Sequence, residues 1–392
     1  MSIPMSSPDL TAAEIAAVND VVNTRYLSIG PKLTAFEDAI AAYAGAAHAV
    51  GVNSGSSGLH LAVIAAGVAP GDLVITTPFS FIASSNCVLY QQGVPVFCDV
   101  DRRTGNIDPA LVAQAASDLA QGGAAARQWL PPALRQHPPA GVLRAILPVD
   151  AFGQPADLDP LLATARQHGL KTICDTCESL GAHYQGRPVG ALGDVGVFAF
   201  YPNKQITTGE GGVIVTNHDA WDALFRSLRN QGRDVFDAWL NHTRLGYNYR
   251  LDEMSAALGL AQMQRVDELI AKRARVAAWY NERLAGLDLI ETPTIVPHTT
   301  RMSWFVYVVR ILPPASRDAV MARLAQRGIA GRPYFTPIHL QPFYRERFGY
   351  AEGCYPVTEW LGRVSLALPF SSVMTEAQVD TVCKELVSAL VP

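Results

Sequence analysis

The sequence predicts an α/β protein: a large domain with a mostly parallel central sheet flanked by helices, followed by a smaller α+β domain. Two observations support this class. Short apolar runs alternate with helical patterns through the first part of the chain, which is typical of successive strand–helix–strand units. A long helical pattern then precedes a second, shorter set of strands and helices. We therefore expect a large domain over residues 1–260 and a small domain over residues 261–392.

The elements of the predicted large domain follow from these patterns. Apolar runs predict strands at residues 48–52, 73–77, 95–100, 143–149 and 172–175. Helical spacing predicts helices at residues 9–24, 33–43, 59–66, 158–169 and 219–229, and a further helix that begins near residue 78. Residues 196–215 predict two more apolar strands, joined by a polar turn and a glycine-rich bend. Strands this apolar are expected to be buried on both faces, as in a parallel sheet.

The pattern changes in the last third of the chain. A loop is predicted at residues 233–243, before one long helix at about residues 252–284, which is long enough to connect two domains. Residues 304–311 then predict a strand, and residues 316–328 and 375–390 predict helices. These elements would form the smaller α+β domain.

Composition and charge disfavour several classes of function. The net charge of −4 gives no electrostatic reason to expect nucleic-acid or membrane binding. No apolar stretch approaches the roughly 20 residues of a membrane span, and no secretory signal precedes the first helix, so we expect a cytoplasmic protein. The six cysteines are scattered, and the pair Cys174 and Cys177 has no second pair or histidine cluster. This favours small buried thiols in a reducing compartment and no metal site.

Lys204 is the first candidate for chemistry. It lies in the polar turn between the two apolar strands of residues 196–215, and the chain has only five lysines. A lysine between buried segments is costly unless it has a task. In a largely apolar site such a lysine loses its proton more readily, and the neutral amine can form a Schiff base with a carbonyl. The alternative is an ordinary loop lysine that points at water.

Asp175 is the second candidate, because it ends the short apolar strand at residues 172–175. Ligands of open α/β sheets bind outside the carboxyl ends of the strands. A Schiff-base lysine and a carboxylate are the two protein groups that pyridoxal phosphate chemistry requires, since the carboxylate keeps the pyridine nitrogen protonated. Asp175 could also serve as a helix N-cap, and the two roles are compatible.

Several motifs, in this order, make the chain similar to the DegT/StrS-type sugar-nucleotide aminotransferases. They are RYLSIGP at 25–31, NSGSSGLH at 53–60, TPFSFIA at 77–83, FGQP at 152–155, DTCESLG at 175–181, PNKQITTGEGG at 202–212, GYNYRLDE at 246–253 and PIHLQP at 337–342. The resemblance runs nearly end to end. It implies the pyridoxal-phosphate-dependent transferase fold of type I and a homodimer whose active site is shared between subunits.

The resemblance also implies the reaction. The amino donor is expected to be L-glutamate, and the acceptor a keto-sugar linked to a nucleoside diphosphate, of which a 4-keto-6-deoxyhexose is favoured. The product would serve polysaccharide, lipopolysaccharide or glycosylated-metabolite biosynthesis. Lys204 would hold the cofactor aldehyde and shuttle the substrate proton, and Asp175 would contact the pyridine nitrogen.

Further cofactor contacts are implied by position in the motifs. Gly55 and Ser56 open a helix, where free N–H groups and the helix dipole favour a phosphate. Phe81 matches an aromatic residue that stacks on the pyridine ring, although an aromatic there is usually core. Asn248 matches an asparagine that reaches the cofactor phosphate of the neighbouring subunit, and it could instead be a turn residue.

Two positions depart from the common pattern. Glu178 stands where relatives often carry Gln or His near the cofactor's phenolic oxygen, so we expect it to be either protonated or turned away. Ala199 stands where many relatives have a serine that bonds the phosphate. Because alanine lacks this hydroxyl, more of the phosphate binding would fall on the turn at residues 55–56 and on Asn248.

The acceptor's diphosphate needs cationic partners. The candidate substrate-binding residues are Arg25, Arg229, Arg250, Arg332 and His339. The sequence does not rank the arginines, and the histidine could equally be structural.

Two other functions stay open. A sugar dehydratase of the same family is one alternative, but that branch carries histidine in place of the lysine. A non-catalytic regulator that binds the cofactor is the other, and the intact pair Lys204 and Asp175 argues against it.

Overall fold

The computed structural model describes residues 2–234 and 241–390 of the chain. Part of the predicted loop at residues 233–243 lies outside the described residues. The strands are β1 (His48–Val52), β2 (Leu73–Thr76), β3 (Val94–Phe97), β4 (Leu143–Ile146), β5 (Lys171–Asp175), β6 (His183–Tyr184), β7 (Arg187–Pro188), β8 (Val195–Ala199), β9 (Gly212–Thr216), β10 (Ile290–Glu291), β11 (Thr299–Arg301), β12 (Tyr307–Ile311) and β13 (Ser365–Leu368).

The helices alternate with these strands. They are α1 (Ala12–Val22), α2 (Pro31–Ala44), α3 (Gly55–Ala65), α4 (Ala83–Tyr90), α5 (Pro109–Gln121), α6 (Gly123–Arg127), α7 (Leu158–His168), α8 (Asp219–Arg229), α9 (Glu253–Met263), α10 (Val266–Leu284), α11 (Arg317–Gln326), α12 (Pro342–Phe348), α13 (Pro356–Val364) and α14 (Glu376–Leu390). Among the residues just described, no helix is long and apolar enough to cross a membrane.

The central sheet has seven strands in the order β1-β9-β8-β5-β4-β2-β3. All neighbouring strands from β8 to β3 pair in parallel, whereas β9 is antiparallel to both β8 and β1. The predicted mostly parallel sheet is therefore confirmed. Because β5 and β8 are parallel neighbours, their carboxyl ends, Asp175 and Ala199, meet at one edge of the sheet.

Both faces of this sheet are buried, as expected for parallel strands. Val197 packs into one apolar cluster with Leu59 of α3, whereas the next residue, Phe198, packs into another with Phe36 of α2. A strand with successive side chains in two cores must be apolar throughout, which is the pattern that the sequence shows.

A second sheet, β10-β12-β13, forms the centre of the C-terminal region. Its apolar cluster includes Val276 and Tyr280 of α10, together with residues of α11 and α14. Ile3 also belongs to this cluster and pairs with Ile329, so the N-terminal segment packs here. We keep the domain boundary near residue 260 as a proposal.

The single long helix predicted at residues 252–284 is wrong, since α9 ends at Met263 and α10 begins at Val266. Arg265 leaves helical geometry at this break. Its guanidinium donates hydrogen bonds to Glu14 (2.9 Å) and Asp9 (3.0 Å), which ties the N-terminal segment to the junction. These partners lie far away in sequence, so local helical spacing could not reveal the break.

Candidate functional site

A cavity of about 460 Å³ lies at the carboxyl ends of β5 and β8 and beside the first turn of α3. Its wall includes Asp175, Glu178, Ala199 and Lys204. Phe305, two residues before the start of β12, closes one side. The cavity therefore brings together the central sheet and a segment of the C-terminal region.

Asp175 is held in one orientation by two donors. The Oγ atom of Ser84, on α4, donates a hydrogen bond to its Oδ2 atom at 2.6 Å, and the N–H of Cys177 donates to Oδ1 at 3.2 Å. Ser84 is itself 2.8 Å from the Oγ atom of Ser80. Asp175 is only 5% exposed. The sequence analysis identified the aspartate but missed its serine partners, which come from another strand–helix connection.

Lys204 lies in the turn that follows β8, where its N–H donates to the carbonyl of Tyr201 at 2.9 Å. Its side chain is 13% exposed, and the Nζ atom lies 3.6 Å from Oε1 of Glu178. The same atom lies 3.8 Å from the centre of the Phe305 ring. Beyond this wide ion pair and the ring, the amine faces the cavity. The structure thus encloses most of the lysine side chain at the cavity, which disagrees with a loop lysine that points at water.

Glu178 turns toward the lysine. Its Oε2 atom accepts a hydrogen bond from the N–H of Phe152 at 2.9 Å. Burial raises the pKa of this carboxyl, although the nearby charge of Lys204 acts in the opposite direction. Of the two expectations for this residue, the geometry supports a carboxyl that is easily protonated over one that is turned away from the site.

The first turn of α3 forms one end of the cavity. The Ser54 Oγ atom caps this helix by accepting a hydrogen bond from the N–H of Ser57 at 3.1 Å. Gly55 and Ser56 lie on the cavity wall, and the first N–H groups of a helix have no partner within the helix. A Cβ atom at Gly55 would lie 2.7 Å from Cβ of Ala199. The small residue at position 199 therefore packs directly against the proposed phosphate turn.

Phe81 lies on the cavity rim and is 62% exposed. The predicted helix start near residue 78 is wrong, because α4 begins at Ala83. Phe79 takes the core position in this loop, with its N–H bonded to Thr77 Oγ1 at 3.0 Å. An aromatic ring that stays half in solvent at a cavity mouth can cover a flat ligand.

Arg229 and His339 are buried away from the cavity wall. The guanidinium of Arg229 bonds to the carboxylate of Glu37 and to the carbonyl of Gly51. His339 is completely buried, and its Nε2 atom lies 3.0 Å from Oε1 of Glu359. Burial lowers the pKa of this imidazole, opposed by the bond to the glutamate. Protein partners engage both predicted substrate-binding side chains.

The other predicted contacts lie on the surface or outside the cavity wall. Arg25 bonds the hydroxyl of its neighbour Tyr26, and Arg250 bonds Oδ1 of Asn230. Arg332 is exposed, close in sequence to the cavity residues Tyr334 and Phe335. Asn248 is also exposed, and its carbonyl is bonded by the side chain of Asn53 at 3.4 Å. A single chain does not bring these residues together with Lys204.

Asn203 was not predicted to be a site residue, although it lies within the motif that contains Lys204, at residues 202–212. It lines the cavity beside Lys204, and its Oδ1 atom is buried with no hydrogen-bond partner among the described residues. A buried acceptor without a donor costs about 1–3 kcal/mol. A ligand with a donor group would remove that cost.

These features fit pyridoxal phosphate. The cavity offers a lysine amine for an aldehyde, a fixed carboxylate for a pyridine nitrogen and a helix N-terminus for a phosphate. The group would meet Lys204, Asp175 and the turn at residues 55–56. Among residues 2–234 and 241–390, no cluster of His, Cys, Asp and Glu side chains could hold a metal ion.

Comparisons with known proteins point in the same direction. Residues 8–387 match the model of the DegT/DnrJ/EryC1/StrS aminotransferase family. A GDP-perosamine synthase from Caulobacter vibrioides is 38% identical over 392 residues, which cover 99% of this chain and 98% of that protein.

Solved structures resemble the chain over its full length. The crystal structure of DesV from S. venezuelae superposes with a TM-score of 0.87 at 32% identity, covering 100% of this chain and 99% of that one. Helicobacter pylori PseC, an aminotransferase involved in pseudoaminic acid biosynthesis, gives a TM-score of 0.86 at 25% identity, with the same coverage.

Proposed function

Because the chain belongs to the DegT/DnrJ/EryC1/StrS aminotransferase family, we propose that it transfers the amino group of L-glutamate to a nucleotide-linked 4-keto-6-deoxyhexose. The enzyme is a pyridoxal-phosphate-dependent sugar aminotransferase. The similarity to a GDP-perosamine synthase favours GDP as the nucleotide of the acceptor. The observation that carries the proposal is the Lys204 amine, which faces a cavity that also contains the fixed carboxylate of Asp175.

The cofactor, when bound, supplies an aldehyde that accepts an amino group and a ring that delocalises the electrons released at the reacting carbon. Lys204 would hold this aldehyde, and Asp175 would keep the pyridine nitrogen protonated. The N–H groups of Gly55 and Ser56 would bind the phosphate. Because Ala199 offers no hydroxyl, these backbone donors carry more of that binding.

Lys204 also moves the proton. Its Nζ atom takes the proton from the α-carbon of glutamate and returns a proton to the carbon of the sugar that gains the amine. The closed wall of Phe305 and the adjacent side chains limits access of water to the amine. In the balanced reaction, L-glutamate and the keto-sugar become 2-oxoglutarate and the amino-sugar.

Glu178 would adjust the charge at this site. Its carboxyl lies 3.6 Å from the lysine amine, close enough for the two protonation states to influence one another. With its pKa raised by burial, it can stay neutral beside an anionic ligand oxygen. A neutral carboxyl can then donate a hydrogen bond to that oxygen instead of repelling it.

The direct test measures the two half-reactions separately. Purified enzyme with its cofactor is mixed with L-glutamate, and the visible absorbance and the released 2-oxoglutarate are followed. GDP- and dTDP-linked 4-keto-6-deoxyhexoses are then added to the aminated enzyme, and the sugar products are identified by mass spectrometry. We expect stoichiometric 2-oxoglutarate and an amino-sugar from the GDP-linked acceptor.

Other results would point to other functions. Deoxygenated keto-sugars without nitrogen would indicate the dehydratase. Bound cofactor that responds to no amino donor would favour the regulator. A response to another amino acid but not to glutamate would overturn the proposed donor alone.

We further propose that the enzyme works as a homodimer with a shared active site. Exposed apolar side chains lie on the cavity wall, at Phe81 and Tyr201, and in the loop that carries Leu27 and Ile29. A second copy of the chain would cover such surface. Asn248, exposed near the start of α3, would then reach the neighbouring site.

Light scattering measures the mass of the assembly in solution. Mixing two inactive variants tests whether each active site contains residues from both subunits. Lys204→Ala and Asn248→Ala chains are each expected to be inactive at limiting cofactor. If subunits exchange at random, about a quarter of the sites in the mixture regain both residues and full activity. No recovery, with exchange shown by mass labels, would mean that each site is built from one chain.

We also propose that the enzyme is cytoplasmic. All six cysteines are free, and those at 87, 98, 174 and 383 are buried, which suits a reducing compartment. Fractionation of the source cells with antibody detection tests this location.

A further inference from the structure

Arg273 is a fully buried arginine whose guanidinium bonds to four backbone carbonyls. It lies on α10 and is 2% exposed. Nη2 donates to the carbonyls of Lys204 (2.5 Å) and Asn203 (3.2 Å), and Nη1 donates to those of Phe305 (3.1 Å) and Trp304 (3.3 Å). Two of these carbonyls belong to the lysine turn, and two belong to the segment that enters β12.

This placement is costly. Among residues 2–234 and 241–390, no carboxylate lies within ion-pair distance of Arg273, and its Nε atom is buried without a hydrogen-bond partner. Burial lowers the pKa of the guanidinium to about 10, with the more distant charge of Asp9 acting in the opposite direction. The group is therefore charged at neutral pH, and the four carbonyls and the Phe370 ring, 5.7 Å from the guanidinium carbon, are its nearest compensation. Burying such a charge without an opposite charge costs free energy of folding, so we ask what its four hydrogen bonds contribute.

The four hydrogen bonds of Arg273 hold both residues of the contact between Lys204 and Phe305. The Lys204 amine rests 3.8 Å from the centre of the Phe305 ring, and Arg273 bonds the backbone of both residues. The lysine turn follows a strand of the central sheet, whereas Phe305 leads into the C-terminal sheet. The guanidinium thus fixes the lysine relative to a ring that comes from a different part of the molecule.

We propose that Arg273 is a positioning residue, which sets the direction of the Lys204 amine by binding the Lys204 and Phe305 carbonyls together. This inference rests on the proposed role of Lys204. A planar guanidinium can direct two N–H groups at each of two segments, whereas a lysine ammonium at the same place cannot span both. A displacement of the amine by about 1 Å can reduce a rate by about 10²-fold.

The first test measures how Lys204 itself reacts, without any turnover. The full-length chain, freed of cofactor, is acetylated with trace acetic anhydride, and the modified peptides are quantified by mass spectrometry. Lys171 is exposed and does not line the cavity of Lys204, so it serves as the internal standard. We expect Arg273→Lys to raise the labelling of Lys204 relative to Lys171 by at least about threefold, because the amine is released from its contact.

Arg310→Lys is the matched control. Arg310 is also a buried arginine of the C-terminal region, and it bonds a carbonyl, that of Arg103, at 2.7 Å. It does not line the cavity of Lys204. We expect this variant to lose stability comparably but to keep the labelling of Lys204 at the level of the native protein.

Phe305→Leu keeps the inference testable if Arg273→Lys does not fold. This variant removes the ring but keeps the carbonyl that Arg273 binds, so it should also raise the labelling of Lys204. Unchanged labelling in Arg273→Lys, or in Phe305→Leu where the first variant is unfolded, overturns the proposal.

The second test uses the enzyme with its cofactor. We expect Arg273→Lys to slow the single-turnover reaction with L-glutamate by about 10–100-fold, with a change of less than about threefold in the glutamate concentration at half-saturation. A native rate constant in Arg273→Lys would overturn the inference. If the native protein itself does not react with glutamate, the proposed function fails, and the labelling experiment still decides the role of Arg273.

Discussion

Two buried pairs of opposite charge show how differently this protein uses such groups. At the Glu37 site, the carboxylate accepts bonds from Arg229, from Arg226 (2.8 Å) and from the N–H of Gly51 (2.8 Å). At the cavity, the Lys204 amine lies 3.6 Å from its nearest carboxylate, that of Glu178. Both pairs are shielded from water.

The difference lies in how completely the protein satisfies each group. Every oxygen of Glu37 is occupied by donors, so neither partner can bind a ligand without losing a protein bond. The lysine amine keeps its bonding capacity and faces an open volume. Burial and charge therefore do not by themselves mark a candidate site, whereas burial with unused bonding capacity at a cavity makes a residue a candidate for function.

The largest expected effect is that of Lys204→Ala. Amino transfer should fall by at least about 10³-fold, because in the proposed function the amine both holds the cofactor and moves the substrate proton. The unfolding midpoint should change little, since the amine's protein contacts are only a wide ion pair of 3.6 Å and the face of the Phe305 ring. Single-turnover kinetics and urea unfolding measure the two quantities. Borohydride reduction of the native enzyme should attach the cofactor to the peptide that contains Lys204.

Arg229→Met is expected to lower stability and leave activity nearly unchanged, the reverse of Lys204→Ala. Removal of the guanidinium takes one of the two donors from Oε1 of buried Glu37 and removes the opposite charge beside it, which should reduce the free energy of unfolding by about 3 kcal/mol. The Michaelis constant for the acceptor should stay within about twofold of the native value, because Arg229 is not on the cavity wall. A raised Michaelis constant for the acceptor at unchanged stability would show that Arg229 binds the substrate.

His339→Phe extends the comparison to a buried imidazole whose Nε2 atom is paired with Glu359 and whose Nδ1 atom has no hydrogen-bond partner among the described residues. Glu359 keeps the hydrogen bonds from the N–H groups of Gly353 and Tyr355, so we expect a loss of only about 1–2 kcal/mol. Turnover and the Michaelis constants should be unchanged. Thermal unfolding and steady-state kinetics measure both. A selective loss of affinity for the sugar nucleotide would show that this imidazole reaches the substrate.

The smallest effect is a pH dependence at Asp150, a buried carboxyl behind the site that accepts a hydrogen bond from Ser179 at 2.6 Å. Burial raises its pKa from 3.8 to about 7, although the bond from Ser179 opposes this rise. The folded state therefore binds a proton that the unfolded state has released. This contribution to stability is present at low pH and is lost as the pH rises through about 7.

Asp150→Asn removes that titration. Between pH 5 and pH 8, the native protein should lose free energy of unfolding relative to the variant, whatever their difference at pH 5. Urea unfolding of both proteins across this range gives the measurement. Parallel pH profiles would show that Asp150 does not bind the proton.

Much of the fold and the centre of the site were predictable from sequence. Local periodicity located β1, β5 and α8, because apolar spacing is set by a few neighbouring residues. The shared location of Lys204 and Asp175 was predictable for the same reason: each ends or follows a strand, and parallel strands bring their carboxyl ends together. The order of the motifs then indicated the family that the comparisons show.

The partners of these residues were decided by the tertiary structure alone. Phe305 and Arg273 reach the lysine from the C-terminal region, and Glu37 on α2 pairs with Arg229 across 192 positions of the chain. Such contacts join positions far apart in the chain, and no local pattern encodes them. The sequence by itself determined which residues can do chemistry, and folding decided which of them keep free bonding capacity, since that depends on every neighbour in space.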